Sequence, residues 1–386
     1  MNLFRIIILT LLVVVPFYVI YQVTHYAQFP PALNFLVTGF LVLIFGIMLS
    51  LPLFFWGARR QNHKKWHDTY FNAGHFALAY VNFILVFVII RDLFSFVAHY
   101  TFPELTTEIL YGETAALAIV MLPLAFIILG TLVVNLGPKQ KNVQMHFTNL
   151  PSAFENFRIL HITDLHIGQS LPERFVERLI RKGKTIPDLD MVVYTGDILD
   201  GAVSRHQKEL TMLKNIPSKY GNYYVPGNHE YYWKGDEAIE AFRQLGFHIL
   251  LNQTEDIQIE DHTLQISGIP DPAARGFQME APDAEKLKKT LHGASFKVLL
   301  AHQPNFAPLA ADAGYDLQLS GHTHGGQFFP WNFLIGFFQK YAKGLYTIGD
   351  MQLYVNQGTG YWGPSLRLGT YCEMAVIILK SKKALT

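Results

Sequence analysis

Four apolar stretches, each of roughly 20 residues, stand in the first third of the chain, and nothing else restricts its folding as strongly. They run from Leu3 to Val23, Ala32 to Trp56, Ala73 to Ala98 and Thr114 to Leu136. Each is long enough to cross a bilayer as a helix, the conformation that satisfies every backbone polar group within one segment. Pro16, Gly39, Gly46, Pro52 and Pro123 fall inside them, a usage that membrane helices tolerate. The first stretch follows Arg5 as a signal peptide would, but it is too long and no small-residue cleavage site comes after it. Residues 1–136 are therefore expected to form an all-helical transmembrane domain with four spans.

Loop charge predicts the orientation. Arg59, Arg60, Lys64 and Lys65 follow the second stretch, and Lys139 and Lys141 follow the fourth. The loops after the first and third hold no Lys or Arg, and the third carries Glu104, Glu108 and Glu113. Basic loops stay on the cytoplasmic side, so both termini and the remainder of the chain are expected in the cytoplasm, at the inner cell membrane. Arg91 and Asp92 lie within the third stretch, where charge is expensive and often functional. Neighbours in sequence do not face each other on a helix, however, and near a span end Arg can reach the interface. The half reads as an anchor.

Of the 386 residues, 50% are hydrophobic and 16% are charged, against about a quarter charged in soluble domains. The imbalance lies almost wholly before Asn135; the residues after it have the composition of an ordinary enzyme. A net charge of +1 gives no basic field, and nucleic acid is not expected as a partner. The single cysteine, Cys372, excludes an intrachain disulfide framework and a thiolate-built zinc site; near a terminal strand it reads as core filler.

Residues 137–156 read as a polar connector. From Phe157 on, short apolar runs each end in a polar cluster. RILHIT (158–163) leads into Asp164-Leu165-His166, and MVVYT (191–195) into Gly196-Asp197. NYYV (222–225) leads into Pro226-Gly227-Asn228-His229-Glu230, FKVLLA (296–301) into His302, and DLQL (316–319) into Ser320-Gly321-His322-Thr323-His324. Buried strands alternating with helical segments imply an α/β sheet, and in such sheets ligands bind beyond the carboxyl ends of the strands. Two carboxylates, an amide oxygen and four imidazoles form a mixed O/N set suited to Mn²⁺, Fe²⁺ or Zn²⁺ rather than Ca²⁺. They exceed one tetrahedral site and suffice for two metals about 3.5–4 Å apart with one shared carboxylate. Capping residues and satisfied core histidines could account for any one motif, but not for five in series at strand ends.

This series resembles the signature of the calcineurin-like metallophosphoesterases: D-x-H, GD, GNH-[DE], H and GHxH. The match covers about Phe157 to Leu379. The resemblance implies a four-layer αββα sandwich over 157–386 and two divalent metal ions, Mn²⁺ first, with Fe, Zn or Mg as alternatives. It implies Asp164, His166 and His324 as ligands of one metal, Asp197 as the bridging carboxylate, and Asn228, His302 and His322 as ligands of the other. His229 matches the histidine that orients the phosphate and assists the leaving oxygen, with Asp164 or Glu230 as its partner. The strings LSGHTHGGQ and NQGTGYWGPSLRLG are similar to the membrane-associated bacterial branch. Some relatives of that wider branch hydrolyse phosphodiester or pyrophosphate bonds, including that of UDP-diacylglucosamine.

Two features bear on substrate. Phe328 to Tyr346, crowded with aromatics and carrying Lys340 and Lys343, reads either as an apolar surface that admits an acyl chain from the membrane or as a loop packed under the site. Arg367 reads either as a bidentate phosphate ligand or as a surface ion-pair residue, and with Lys343 it is the candidate for binding substrate. Asp200 and Asp271, also at strand ends, read as carboxylates that hold ligand histidines. The expected function is a membrane-anchored phosphoesterase acting on a phosphodiester or pyrophosphate, including a lipid-linked one. The alternative is a non-catalytic module that binds metal or phospholipid at the membrane. Oligomeric state is left open.

Overall fold

The computed structural model describes residues 3–58, 65–102 and 107–382. The chain divides into two compact units, Met1–Thr131 with Gly363–Leu366, and Leu132–Trp362 with Arg367–Thr386.

The apolar stretches become the helices Leu3–Thr24, Pro31–Ala58, Lys65–Thr101 and Glu113–Asn135, with a five-residue helix, Thr107–Tyr111, before the last. Three segments among the described residues, Pro31–Leu51, Trp66–Thr101 and Ile109–Asn135, are long and apolar enough to cross a membrane. Within the first stretch, the helix Leu3–Thr24 includes the shorter apolar segment Leu12–Thr24. Of the four spans expected, three are candidates among the described residues, and the side chains that open the first stretch lie outside them. Arg59, Arg60, Lys64 and Glu104, among the charges that orient the chain, lie outside the described residues.

Arg91 and Asp92 are at the centre of a polar network. Arg91 donates to Asp92 Oδ1 from Nε at 2.9 Å, and to the carbonyl and amide oxygens of Gln22 at 3.0 and 2.9 Å. The Tyr18 and Tyr111 hydroxyls donate to the two oxygens of Asp92, and the Tyr111 ring lies 4.1 Å from the guanidinium carbon. Contrary to the i,i+1 expectation, the long Arg side chain folds back to reach its neighbour. With its partners supplied by the protein, this pair needs no water.

Among its described residues the second unit has fourteen strands: β1 (Lys139–Phe147), β2 (Arg158–Ile162), β3 (Ile167–Gly168), β4 (Met191–Thr195), β5 (Leu199–Asp200), β6 (Asn222–Val225), β7 (His248–Ile249), β8 (Gln253–Ile259), β9 (His262–Ile269), β10 (Phe296–Ala301), β11 (Leu317–Ser320), β12 (Gly344–Ile348), β13 (Met351–Val355) and β14 (Glu373–Ser381). One mixed six-stranded sheet has the order β1-β14-β2-β4-β6-β7 and the other β12-β13-β11-β10-β9-β8; β3 and β5 form a small pair. Strands β2, β4 and β6 run parallel, as do β9, β10 and β11.

Parallel strands covered on both faces are apolar throughout, and β4 shows why. Met191 and Val193 enter the core between the two sheets with Ile159, Tyr223, Val298 and Leu300. Val192 and Tyr194 face the opposite way, toward Phe175, Leu179, Leu210 and Phe242 from the helices Glu173–Gly183, Val203–Leu213 and Gly235–Gln244. A third cluster packs Leu299 and Ala301 of β10 against Leu287, Ala307 and Ala310 of the helices Ala284–Thr290 and Ala307–Asp312. The layers are helix, sheet, sheet, helix, the expected αββα sandwich. Residues 137–156 are not a connector: β1 pairs along all nine residues with β14, and Met145 and Phe147 are buried. The polar alternation of KQKNVQMHF is that of an edge strand with one wet face.

Candidate metal centre

The five polar clusters extend from the carboxyl ends of β2, β4 and β6 in one sheet and β10 and β11 in the other, so the sandwich brings them to one edge. Their turns are tight. A Cβ on Gly227 would stand 2.2 Å from Asp197 Oδ1, and one on Gly321 would stand 2.1 Å from Asp164 Oδ2; only glycine lets those backbones pass so close. Asp164, His166, Asp197, His322 and His324 all have φ between 50° and 74°, a left-handed backbone that Asp and His tolerate better than most residues.

Two donor groups result. Asp164, His166 and His324 offer one atom each within 4.8 Å of one another, as do Asp197, His302 and His322. In the first, His166 Nε2 and His324 Nε2 are 3.0 Å apart, and His324 Nε2 is 3.4 Å from Asp164 Oδ1. In the second, His302 Nε2 is 3.2 Å from both His322 Nδ1 and Asp197 Oδ2. Asp197 Oδ2 also lies 3.9 Å from His166 Nε2, so one carboxylate oxygen faces both groups. The Asn228 Oδ1 is buried without a hydrogen-bond partner, a costly state unless a cation is its intended partner. The residues present fit two divalent metals. A third group, His166, Asp200 and His229, overlaps the first through His166.

His229 Nδ1 is 2.9 Å from Asp200 Oδ1, which also accepts the Trp233 indole N–H at 2.7 Å. The partner of His229 is thus Asp200, not Asp164 or Glu230. Glu230 serves the backbone instead. Fully buried, its carboxylate accepts N–H groups from Asp197, Gly227, Ile198 and Leu199 at 2.7–2.9 Å. It ties the Asp197 turn to the Asn228 turn. Burial and the Asp197 charge push Glu230 up to about 7, but its four bonds come from donors alone and favour the carboxylate. The Gly227–Glu230 spacing is that of a capping box, the one sequence sign of this role. Asp271 accepts from Ala273 N and Gln303 Nε2, both at 2.8 Å, and so steadies the residue after His302.

Protonation in the cluster is polarised. Burial opposes ionisation of Asp197 and Asp200, yet the surrounding histidine charges hold both well below the usual carboxylate range. At Asp164 burial prevails and the carboxyl is raised. Burial disfavours imidazolium at His229, but Asp200 and Asp197 push it up to about 9. Burial and the His302 charge take His322 down to about 4. Burial likewise holds His324 well below the usual imidazole range, so Asp197 ionised and His322 and His324 neutral are in the protonation states a cation requires.

The two candidates for binding substrate separate. Lys343 is exposed, with Cδ 3.2 Å from where a Gly325 Cβ would sit, one residue from His324. Arg367 is completely buried. Its guanidinium donates to the carbonyls of Gly360, Gln357, Gly358 and His324 at 2.8–3.3 Å. Both readings of Arg367 are corrected: its donors are spent inside the protein, where it braces the backbone behind His324. Around His229, the rings of Tyr232 and Trp362 lie at 5.2 and 5.7 Å, and both are partly exposed.

A family model for calcineurin-like phosphoesterases matches residues 157–326. The chain is similar to an uncharacterized metallophosphoesterase of Campylobacter jejuni, 38% identical over 248 residues that cover 64% of each chain. It is 35% identical over 247 residues to one of Helicobacter pylori, covering 64% of this chain and 65% of that one. A transmembrane protein with metallophosphoesterase domain from Danio rerio is 30% identical over 253 residues, 63% of this chain and 57% of its own. The chain thus spans under two thirds of the length of these relatives. Residues 157–326 thus form a calcineurin-like phosphoesterase domain. The chain joins this domain to an amino-terminal region with three helices, among the described residues, that are long and apolar enough to cross a membrane.

Proposed function

We propose that this protein is a multi-pass enzyme of the inner cell membrane that hydrolyses a phosphodiester or pyrophosphate bond, including one in a lipid-linked or nucleotide-lipid substrate. Its domain of 157–386, extended by β1, faces the cytoplasm, a side supported by the loop charges. The observation that carries the reading is Asp197 Oδ2, 3.2 Å from His302 Nε2 and 3.9 Å from His166 Nε2, a shared carboxylate between two donor groups.

Asp164, His166, His324 and Asp197 would hold one metal, and Asp197, Asn228, His302 and His322 the other. When bound, such a pair, Mn²⁺ first and Fe, Zn or Mg as alternatives, supplies Lewis acidity and an ionised water as nucleophile. The chain supplies the rest. Asp200 fixes Nδ1 of His229, leaving Nε2 to meet the substrate, and the raised pKa of His229 keeps a proton available for the leaving oxygen. Lys343, exposed and close to Gly325, would supply a cation for an anionic phosphate oxygen. Glu230 holds the Asp197 and Asn228 turns in register.

The test is hydrolysis of bis-p-nitrophenyl phosphate by the detergent-purified protein, with EDTA or added Mn²⁺, beside Asp197→Asn. Mn²⁺-dependent release by the wild type alone is expected. No release from this diester, a monoester or a UDP-linked lipid under any metal would replace the reading with a metal- or phospholipid-binding module.

A further inference from the structure

The helix Trp331–Phe338 buries none of its eight residues. Phe333, Leu334, Phe337 and Phe338 are all exposed, Phe337 at 85%. The other helices of this unit behave differently: Glu173–Gly183 and Gly235–Gln244 each turn an apolar stripe into the core. Removing such side chains from water is favourable, and here several stand exposed on two turns of helix.

This segment is fastened to the metal loop at both ends. At its start, the Asn332 N–H donates to Phe328 O at 3.2 Å, and the Trp331 carbonyl approaches so closely that a Cβ on Gly326 would lie 2.3 Å from it. At its end, the Thr323 hydroxyl donates to the Ala342 carbonyl. Thr323 stands between His322 and His324, so the aromatic helix is displayed from the rim of the metal centre.

Charge selects what covers it. No Asp or Glu occurs from Phe328 to Gly349, whereas Lys340 and Lys343 are present and exposed. Trp and Phe on a short helix with flanking lysines suit the boundary between acyl chains and anionic headgroups. Because the apolar helices tether the chain to a bilayer, a segment too weak to bind lipid alone has a high effective concentration there.

We propose that the Trp331–Phe338 helix is a membrane-interfacial foot that beds its aromatic side chains in the anionic leaflet and holds the mouth of the metal centre against the lipid surface. The inference rests on membrane anchoring and needs no hydrolytic turnover.

The test uses the full chain in liposomes of phosphatidylcholine with phosphatidylglycerol. Cys372 is 1% exposed, so Phe337→Cys provides one accessible thiol for an environment-sensitive fluorophore, with Lys289→Cys as the control on the exposed face of the helix Ala284–Thr290. Equal melting temperatures for wild type and both variants establish the fold without reference to activity. Emission at position 337 is expected to be quenched by lipid carrying a shallow spin label. Its quenching by iodide should be severalfold weaker than at position 289, and Lys340→Gln should reduce that protection in anionic vesicles. Iodide access equal to that at position 289, with no quenching by spin-labelled lipid, overturns the proposal. So does shielding from iodide without lipid quenching, which would mark a second copy or another protein as the cover.

Discussion

Asp197 and Glu230 are joined through the backbone: the Asp197 N–H donates to Glu230 Oε2 at 2.9 Å, and that oxygen also accepts the Gly227 N–H at 2.8 Å. Converting Glu230 to Gln would turn one oxygen into an amide donor facing two N–H groups. Glu230→Gln is expected to cost about 3 kcal/mol. The measurement is the thermal transition of the sandwich, read in EDTA so that metal binding does not contribute. An unchanged transition would show that the four bonds are dispensable.

Asp200→Ala removes the acceptor of both His229 Nδ1 and Trp233 Nε1. Loss of such an orienting carboxylate commonly lowers activity or metal affinity by about 10–100-fold. The expected result is that fall in kcat on bis-p-nitrophenyl phosphate, with metal content per chain retained. Trp233→Phe, which leaves Asp200 in place, should fall less. Equal activity in Asp200→Ala and wild type would remove Asp200 from the mechanism.

Metal loading should be visible without catalysis. The orphaned Asn228 Oδ1 and the shared Asp197 oxygen predict two ions per chain by elemental analysis, and fewer in Asn228→Ala. A ligand at a hundred times its Kd stabilises the folded state by about 2.7 kcal/mol. Mn²⁺ should therefore raise the melting temperature of EDTA-stripped protein, and raise it less in Asn228→Ala. One ion per chain in the wild type would contradict the two-group reading.

His161 on β2 is fully buried, with Nε2 2.7 Å from Thr195 Oγ1, and burial depresses it to about 3 from an ordinary 6.5. The unfolded chain therefore binds a proton between pH 6.5 and 3 that the folded chain does not. Stability from this residue is complete above 6.5 and falls as pH drops, by up to about 1.4 kcal/mol per pH unit. His161→Gln should flatten the acid limb of a melting-temperature profile in that window; an identical profile would mean that another group controls it.

Among the apolar helices, Asp92→Ala leaves the buried Arg91 without its carboxylate. It is expected to destabilise the detergent-solubilised helices by about 3–5 kcal/mol, whereas replacing Arg91 and Asp92 together with leucine should recover much of the loss. A melt of single and double variants decides. If both lose equally, the charges themselves are required.

Burial decides how much of the fold and the site is legible in the sequence. Strands β2, β4, β6, β10 and β11 are covered on both faces, so each appears in sequence as an apolar run, and the donor that ends it marks the strand end. Strand β1 stands at a sheet edge with a wet face, and its polar alternation passed for a connector. Arg367 misled for the opposite reason. A cation close in sequence to a phosphate site reads as a ligand, and only the tertiary ring of carbonyls around it shows that its donors are already used. The Asp200–His229 pair joins residues 29 apart, a proximity that neither strand period nor motif spacing expresses.

The left-handed turns at Asp164, His166, Asp197, His322 and His324 set durability against chemistry. Glycine is the residue such turns accept most readily, so changes like Asp164→Gly would relax the main chain while deleting a donor atom. Breeding this protein for heat resistance alone would tend to erase its reactive centre one ligand at a time. A screen for hardier variants must therefore demand retained metal uptake, or it will enrich inert sandwiches.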